Sequence, residues 1–166
     1  MFAVIINATV SFIATLVLHE LGHYVAARMC GVPIKQLGFG WGPKLYGFRV
    51  GKVDCQMRLF PVGAYVQMDM NALQRRSLPQ QLLVLGAGIG VNLVLCFFAW
   101  GTFFGAVNLA LAIGNLIPLY QLDGWKSGMV IIRRMFGRPS PLVEWILTLG
   151  GGAIGLSVFV RAFLNI

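Results

Sequence analysis

The sequence predicts an all-α membrane protein of about four transmembrane helices, with a small β-hairpin-containing loop at the cytoplasmic interface between helices one and two. Three observations carry that expectation. The 166 residues are 58% hydrophobic and only 11% charged, under half the charge of an ordinary soluble domain. A single domain this small has too little interior to hide so much apolar side chain from water. The apolar residues also fall into long uncharged runs broken by two basic segments, the pattern of spans and their loops. A soluble globular domain and a disordered chain both fit this composition poorly.

The first span is expected at roughly residues 3–29, since residues 1–18 carry no charge and apolar character persists to about Cys30. It lacks the basic start and small-residue cleavage site of a signal peptide. The uncharged stretch from Ser77 to Leu122 holds two further helices, expected at 80–101 and 104–121. Gly101 and Gly105 suit the turn between them, and Pro118 ends or kinks the second. The last span is expected at 141–164, with Arg161 snorkelling near its end. All 166 residues then form one intramembrane unit, with 31–79 as its interfacial loop.

Charge sets the orientation. Loop 31–79 holds Lys35, Lys44, Arg49, Lys52, Arg58, Arg75 and Arg76 against Asp54 and Asp69, and Lys126, Arg133, Arg134 and Arg138 follow the third span. The extreme N-terminus and the Gly101–Gly105 turn hold no basic side chain. By the positive-inside rule the basic segments face the cytoplasm and the N-terminus faces out, as in a multi-pass protein of a prokaryotic cytoplasmic membrane. The net charge of +8 is then a matter of lipid headgroups, not nucleic acid. Cys30, Cys55 and Cys96 form no CxxC pair and suggest neither a disulfide framework nor a cysteine zinc site.

His19-Glu20-Leu21-Gly22-His23 is an HExxH sequence inside the first helix, and it contains both histidines of the chain. Residues i and i+4 share a helix face, so both imidazoles can reach one metal ion. Glu20 beside them is placed to take the proton of an attacking water. Ser11 and Thr15 continue the four-residue spacing as a polar stripe. A chance match is the bland alternative, but a glutamate near the bilayer centre costs about 2–3 kcal/mol or more, which disfavours an unneeded one.

Zinc in a catalytic site takes three protein ligands and keeps one position open. Asp54 and Asp69 lie in the loop and Glu144 starts the last span, whereas Asp123 ends the long uncharged stretch that can pack against helix one. Pro118 frees backbone groups, tolerated at membrane depth where they line a cavity, and Gly124 permits a tight turn that aims the carboxylate inward. The alternative reading of Asp123 is an interfacial residue opening a juxtamembrane turn.

These residues resemble the site-2 proteases, intramembrane zinc metalloproteases, over most of the chain. That family's signature is HExxH in the first core helix and N-x-x-P-x-x-x-L-D-G in the third. Here they stand as His19-Glu20-x-x-His23 and Asn115-x-x-Pro118-x-x-x-Leu122-Asp123-Gly124. Pro61-Val-Gly63-Ala64-Tyr65-Val66 looks like the family's P-x-G-[GA]-Y-V loop. Gly88-Ile-Gly90-Val-Asn92 looks like its G-P-x-x-N motif, with Ile89 where proline is usual. Tyr120-Gln121 replaces a segment often proline-rich in relatives. The resemblance implies one Zn2+ per chain on His19, His23 and Asp123, with Glu20 as general base and acid. It implies cleavage of transmembrane proteins or remnant signal peptides on the cytoplasmic side of the bilayer. With no room in 166 residues for a PDZ-sized insertion, the chain reads as a minimal core.

Other residues have two readings each. Asn115 and Asn92 could donate to substrate backbone or an oxyanion, or simply join helices. The segment from Pro61 to Met70, with Gly63, Ala64 and Tyr65, could clamp an unwound substrate by β-addition, or cover the site as a plain hairpin. Gly150-Gly-Gly152-Ala-Ile-Gly155 fits GxGxxG but lies in a span with no preceding strand, which argues against dinucleotide binding. Gly86-x-x-x-Gly90, Gly101-x-x-x-Gly105 and Gly151-x-x-x-Gly155 read as helix-packing faces. The competing function is a non-catalytic membrane protein that binds or passes a metal with the same ligands. A transporter should offer a continuous polar path, and the far half of helix one offers only Asn7, Ser11 and Thr15.

Overall fold

The computed structural model describes residues 1–117, 122–137 and 140–164, with the backbone alone at 61–62 and over parts of the last helix. Helix α1 runs Phe2–Met29, strands β1 and β2 run Ile34–Val50 and Val53–Met68, and the short helix α2 is Met70–Gln74. Helices α3 (Leu78–Phe98), α4 (Phe103–Leu116), α5 (Asp123–Phe136) and α6 (Pro141–Leu164) follow.

Helix α1 is amphipathic in the sense opposite to a soluble helix. Its buried residues are Ser11, Thr15, His19, Gly22, His23, Ala26 and Ala27, all small or polar, and their three- and four-residue steps trace one face. The opposite face exposes Val10, Val17, Leu21 and Val25. Water would penalise that arrangement, whereas lipid favours it. Among the described residues, α1 and α3 are the helices long and apolar enough to cross a bilayer, with mean hydropathies of 2.0 and 2.1 over their best windows.

Helix α3 is the hub, packing against α1, α4 and α5. Its approach to α1 is close because Gly22 has no side chain: a Cβ there would lie 2.9 Å from the Ala87 carbonyl oxygen and 2.8 Å from Val91 Cγ2. The loop side is sealed by a buried cluster of Ala26, Ala27, Cys30, Val32, Ile34, Leu73, Val84 and Leu85. Farther along α1, the buried Asn108 of α4 donates to Thr15 Oγ1 at 3.0 Å, a polar tie between two apolar helices.

The helices fall unevenly on the segments expected to span. The first, second and fourth correspond to α1, α3 and α6 within a few residues. The third is shorter than the expected 104–121: α4 has 14 residues, about 21 Å against a hydrocarbon core of about 30 Å. Ile117 leaves the helix with ψ 135, as a residue preceding proline prefers. Pro118, Tyr120 and Gln121 lie outside the described residues. The turn expected at Gly101 and Gly105 uses Gly101 alone, at φ +78, while Gly105 is inside α4 and packs on the Ala99 carbonyl.

The loop is more β-rich than an all-α description allows. β1 and β2, of 17 and 16 residues, pair antiparallel in one two-stranded sheet. A two-residue turn at Gly51 and Lys52 joins Val50 to its partner Val53, with Gly51 at φ +60 as such turns demand. Both strands bend, so that Ile34–Phe39 also pairs with Ala64–Met68. This second pairing brings the end of β2 back against α1. After it, Asp69 caps α2 by accepting from the Asn71 and Ala72 amides at 3.0 Å, and Lys35 pairs with it at 3.1 Å.

Candidate metal centre

Three buried side chains from two distant elements meet at one point. His19 Nε2 and His23 Nε2 on α1 lie 3.0 and 2.9 Å from Asp123 Oδ2 on α5, and 3.3 Å from each other. Ligand atoms bound at about 2.0–2.1 Å around a tetrahedral ion sit about 3.3 Å apart, so the set is spaced to hold zinc. Among the described residues this is the group of three ligand-type side chains close enough to share an ion.

The surroundings prepare the atoms for that role. His23 Nδ1 donates to the Val84 carbonyl at 2.8 Å, leaving Nε2 with its lone pair. His19 Nδ1 lies 3.0 Å from the amide of the wholly buried Asn92. A ligating Nε2 requires the proton on Nδ1, and Asn92 can receive it only through Oδ1, the atom left without a partner as the amide is placed. Reversing the amide supplies that acceptor, a choice fixed by the hydrogen-bond network. Asp123 divides its oxygens: Oδ2 faces the imidazoles, and Oδ1 pairs with Lys126 Nζ at 3.3 Å.

Two glycines make the meeting possible. A Cβ on Gly88 would lie 2.5 Å from His23 Nε2 and 2.6 Å from His19 Nε2, within the space the metal needs. Gly124 does not form the expected tight turn; it is the second residue of α5, where a Cβ would strike the Asn115 and Leu116 carbonyls. Asp123 therefore reaches the imidazoles because a helix starts there against the end of α4.

Glu20 is half-buried beside the ligands, and its Oε2 accepts the Val66 amide at 3.0 Å. It borders two cavities. One of about 240 Å³ also contains His23, Asp123, Lys126, Tyr65 and Val66. The other, about 360 Å³ and almost wholly apolar, lies between α1 and the sheet against Tyr24, Phe39, Ala64 and Tyr65. Tyr65 is held by Gln36 Nε2 and by Arg58 Nε at 3.3 Å, both donating to its hydroxyl. Gly63 sits apart from the metal ligands, at φ +95 beside the Trp41 indole. Asn115 donates to Leu111 O in its own helix at 3.0 Å, and no contact joins it to the ligands among the described residues.

A family model described as Peptidase family M50 matches residues 7–105. The chain belongs to that family, the site-2 proteases. The M50 match contains His19, Glu20, His23, Gly88 and Asn92, whereas Asp123 lies beyond it and is joined to them by the fold. Among curated relatives, "Putative zinc metalloprotease CPE1693" of Clostridium perfringens is 36% identical over 99 residues, covering 55% of this chain and 30% of that protein. "Putative zinc metalloprotease all3971" of Nostoc is 29% identical over 148 residues, 75% of this chain and 41% of the relative. "Probable membrane metalloprotease ARASP2, chloroplastic" of Arabidopsis thaliana is 30% identical over 136 residues, 74% and 30% of the two chains. This M50 chain thus matches well under half the length of these relatives.

The sequence reading did not single out several of the contacts around the site. In the sequence Gly88 stands out only as part of a short motif, and the packing face suggested by Gly86 and Gly90 is not one, since a Cβ at either meets nothing within 4 Å. Lys126, expected at the lipid headgroups, instead pairs with Asp123 Oδ1 at 3.3 Å. Asn108 carried a readable signal, a lone amide in an apolar run, which at membrane depth must face protein.

Proposed function

We propose that this chain is the core of a zinc-dependent intramembrane endopeptidase, hydrolysing peptide bonds within or near transmembrane segments of membrane-protein or remnant signal-peptide substrates. The observation that carries the reading is the convergence of His19, His23 and Asp123 within 3.3 Å, with Glu20 on the same cavity, inside a helix whose outer face suits lipid. One Zn2+ per chain would supply Lewis acidity for the scissile carbonyl and the attacking water. Glu20 takes the water's proton as the C–O bond forms and returns it to the amide nitrogen as the C–N bond breaks. The Val66 amide holds one oxygen of that carboxylate in place.

A helical substrate hides its carbonyls in its own hydrogen bonds and has to unwind before attack. Ala64, Tyr65 and Val66 line the cavities beside Glu20, which suits them to pair with an unwound backbone by β-addition, Gly63 giving the bend that precedes them. Asn92 acts by holding His19, and Asn115, at the end of α4, is the remaining candidate donor to substrate. The chain lies in the membrane as about four spans, N-terminus outside and site toward the cytoplasm, by the distribution of its arginines and lysines.

One observation favours a second reading, a non-catalytic metal-binding or metal-transport protein. Asn7, Ser11, Thr15 and Asn108 form a polar column along α1, with Ser11 Oγ donating to Asn7 Oδ1 at 3.1 Å. Glu20→Gln separates the two. The protease reading expects zinc retained and cleavage of a reconstituted transmembrane substrate reduced about 10²–10⁴-fold. Undiminished cleavage refutes Glu20 as the base, and metal flux through reconstituted vesicles would favour transport.

A further inference from the structure

Lys126 lines the same cavity of about 240 Å³ as Glu20, His23 and Asp123, and the proposed hydrolysis gives it no step. Among the described residues it is the one lysine or arginine on that cavity. Its Nζ donates to Asp123 Oδ1 at 3.3 Å, while Oδ2 of the same carboxylate lies 3.0 and 2.9 Å from the two imidazole Nε2 atoms. The Lys126 side chain is 41% exposed and that of Asp123 7%, so a cation that reaches solvent meets a buried anion. An ion pair on an open helix surface does little for stability. This one bears instead on how the buried carboxylate is turned.

The backbone leaves that orientation open. Gly124 seats the start of α5 against the Asn115 and Leu116 carbonyls, which fixes where Asp123 leaves the chain. Rotation of a carboxylate about its last bond is broad, without sharp staggered wells. The seat of α5 therefore does not decide whether one oxygen or both face His19 and His23, but a donor on Oδ1 does. Lys126 is three residues along α5, so the ligand and its partner share one side of the helix. Buried Met129, with Val130 packed on the core cluster, holds that helix in place. An ammonium is a compact charge without the planar fork of a guanidinium, suited to a single oxygen. With Oδ1 so occupied, Asp123 offers the imidazole pair Oδ2 alone.

We propose that Lys126 is a positioning residue that keeps Asp123 a one-oxygen ligand and so leaves the fourth place of the centre open to water. A hydrolytic zinc site takes three protein ligands and keeps one such place, and a carboxylate that turned both oxygens inward would fill or crowd it. The inference rests on the protease reading for the use of that place, but it is measured without substrate.

Infrared difference spectra, zinc-loaded minus zinc-free, of the detergent-purified chain test it. An isotope label on the aspartate side-chain carboxyl carbons separates Asp123 from Glu20, and Asp54 and Asp69 are not among the ligand group. The gap between antisymmetric and symmetric carboxylate stretches is wide for a one-oxygen ligand and narrow for a chelating one. The parent should show the wide gap. Lys126→Met should keep one zinc per chain, show the narrow gap, and cleave a reconstituted transmembrane substrate about 10–100-fold more slowly, the usual range for an outer partner of a metal ligand. Lys126→Arg, which still donates to Oδ1, should restore the wide gap. Lys126→Ala gives the same reading as methionine if that variant is unstable, since alanine suits a helix. Lys35→Met removes a cation paired with Asp69, away from the cavity, and should leave the parent spectrum unchanged. A wide gap retained in Lys126→Met, a narrow one in the parent, or an equal change in Lys35→Met would overturn the positioning role. A parent that binds no zinc would overturn it together with the metal centre. The expected spectra from a parent that cleaves nothing would support the positioning role and count against the protease reading alone.

Discussion

Around His19 and His23 the decisive atoms include one that is missing. Gly88 leaves open the space into which both Nε2 atoms point, at 2.5–2.6 Å from where its Cβ would be. Gly88→Ala should abolish zinc binding and with it activity, while α3 remains helical because alanine favours helix; zinc content and far-ultraviolet dichroism measured together check this. In the proposed site Asn92, 3.0 Å from His19 Nδ1, would act one step further out, by fixing the proton on that nitrogen. Asn92→Ala should lower zinc affinity about 10–100-fold, the usual range for a partner of a ligating histidine, with competition against a fluorescent chelator as the readout. Asn92→Asp, which keeps the acceptor, should recover part of that loss.

At the scale of elements, the histidine pair was legible because helical spacing alone puts i and i+4 together, and Asp123 because it ends an uncharged run. The way Asp123 arrives was not legible. The basic residues make 123–136 look like a polar stretch, yet α5 buries Met129 and packs Val130 against the core cluster, one turn before Arg133 and Arg134 on the same side. A 3.6-residue period was present there and was masked by the charges. The length of β1 and β2 was hidden for another reason: Gly and Pro read as loop, and the bends they allow create the second pairing of Ile34–Phe39. The junction of sheet and α2 carries a pH dependence. The Ala72 amide foremost, then Lys35, hold the Asp69 carboxyl below its ordinary range. A depressed folded value means the stabilisation is present above the ordinary aspartate range and is lost as pH falls through the lowered one. Amide exchange of Asn71 and Ala72 should accelerate there, and Asp69→Asn should remove the effect.

Over the whole molecule, the distribution of polarity is inverted, with Ser11, Thr15, His19, His23, Asn92, Asn108 and Asp123 inside and Val, Leu and Phe outside. The composition already implies lipid, but it does not say that the interior polar groups form one column leading to His19, His23 and Asp123. A zinc ion held by His19, His23 and Asp123 would join α1 to α5, so its occupancy should report on global stability. Free zinc at about 100 times its Kd should add about 2.7 kcal/mol, seen as a higher melting temperature in detergent than after chelation. A melting temperature indifferent to chelation would mean that the three ligands do not jointly hold an ion.

The most direct measurement is elemental analysis of the detergent-purified chain beside its Asp123→Ala variant. One zinc per chain in the parent, and a large loss in a variant that keeps its helical dichroism, is the outcome expected from a carboxylate 2.9–3.0 Å from both imidazoles. Stoichiometric zinc retained without Asp123, or none bound by the parent, would contradict it.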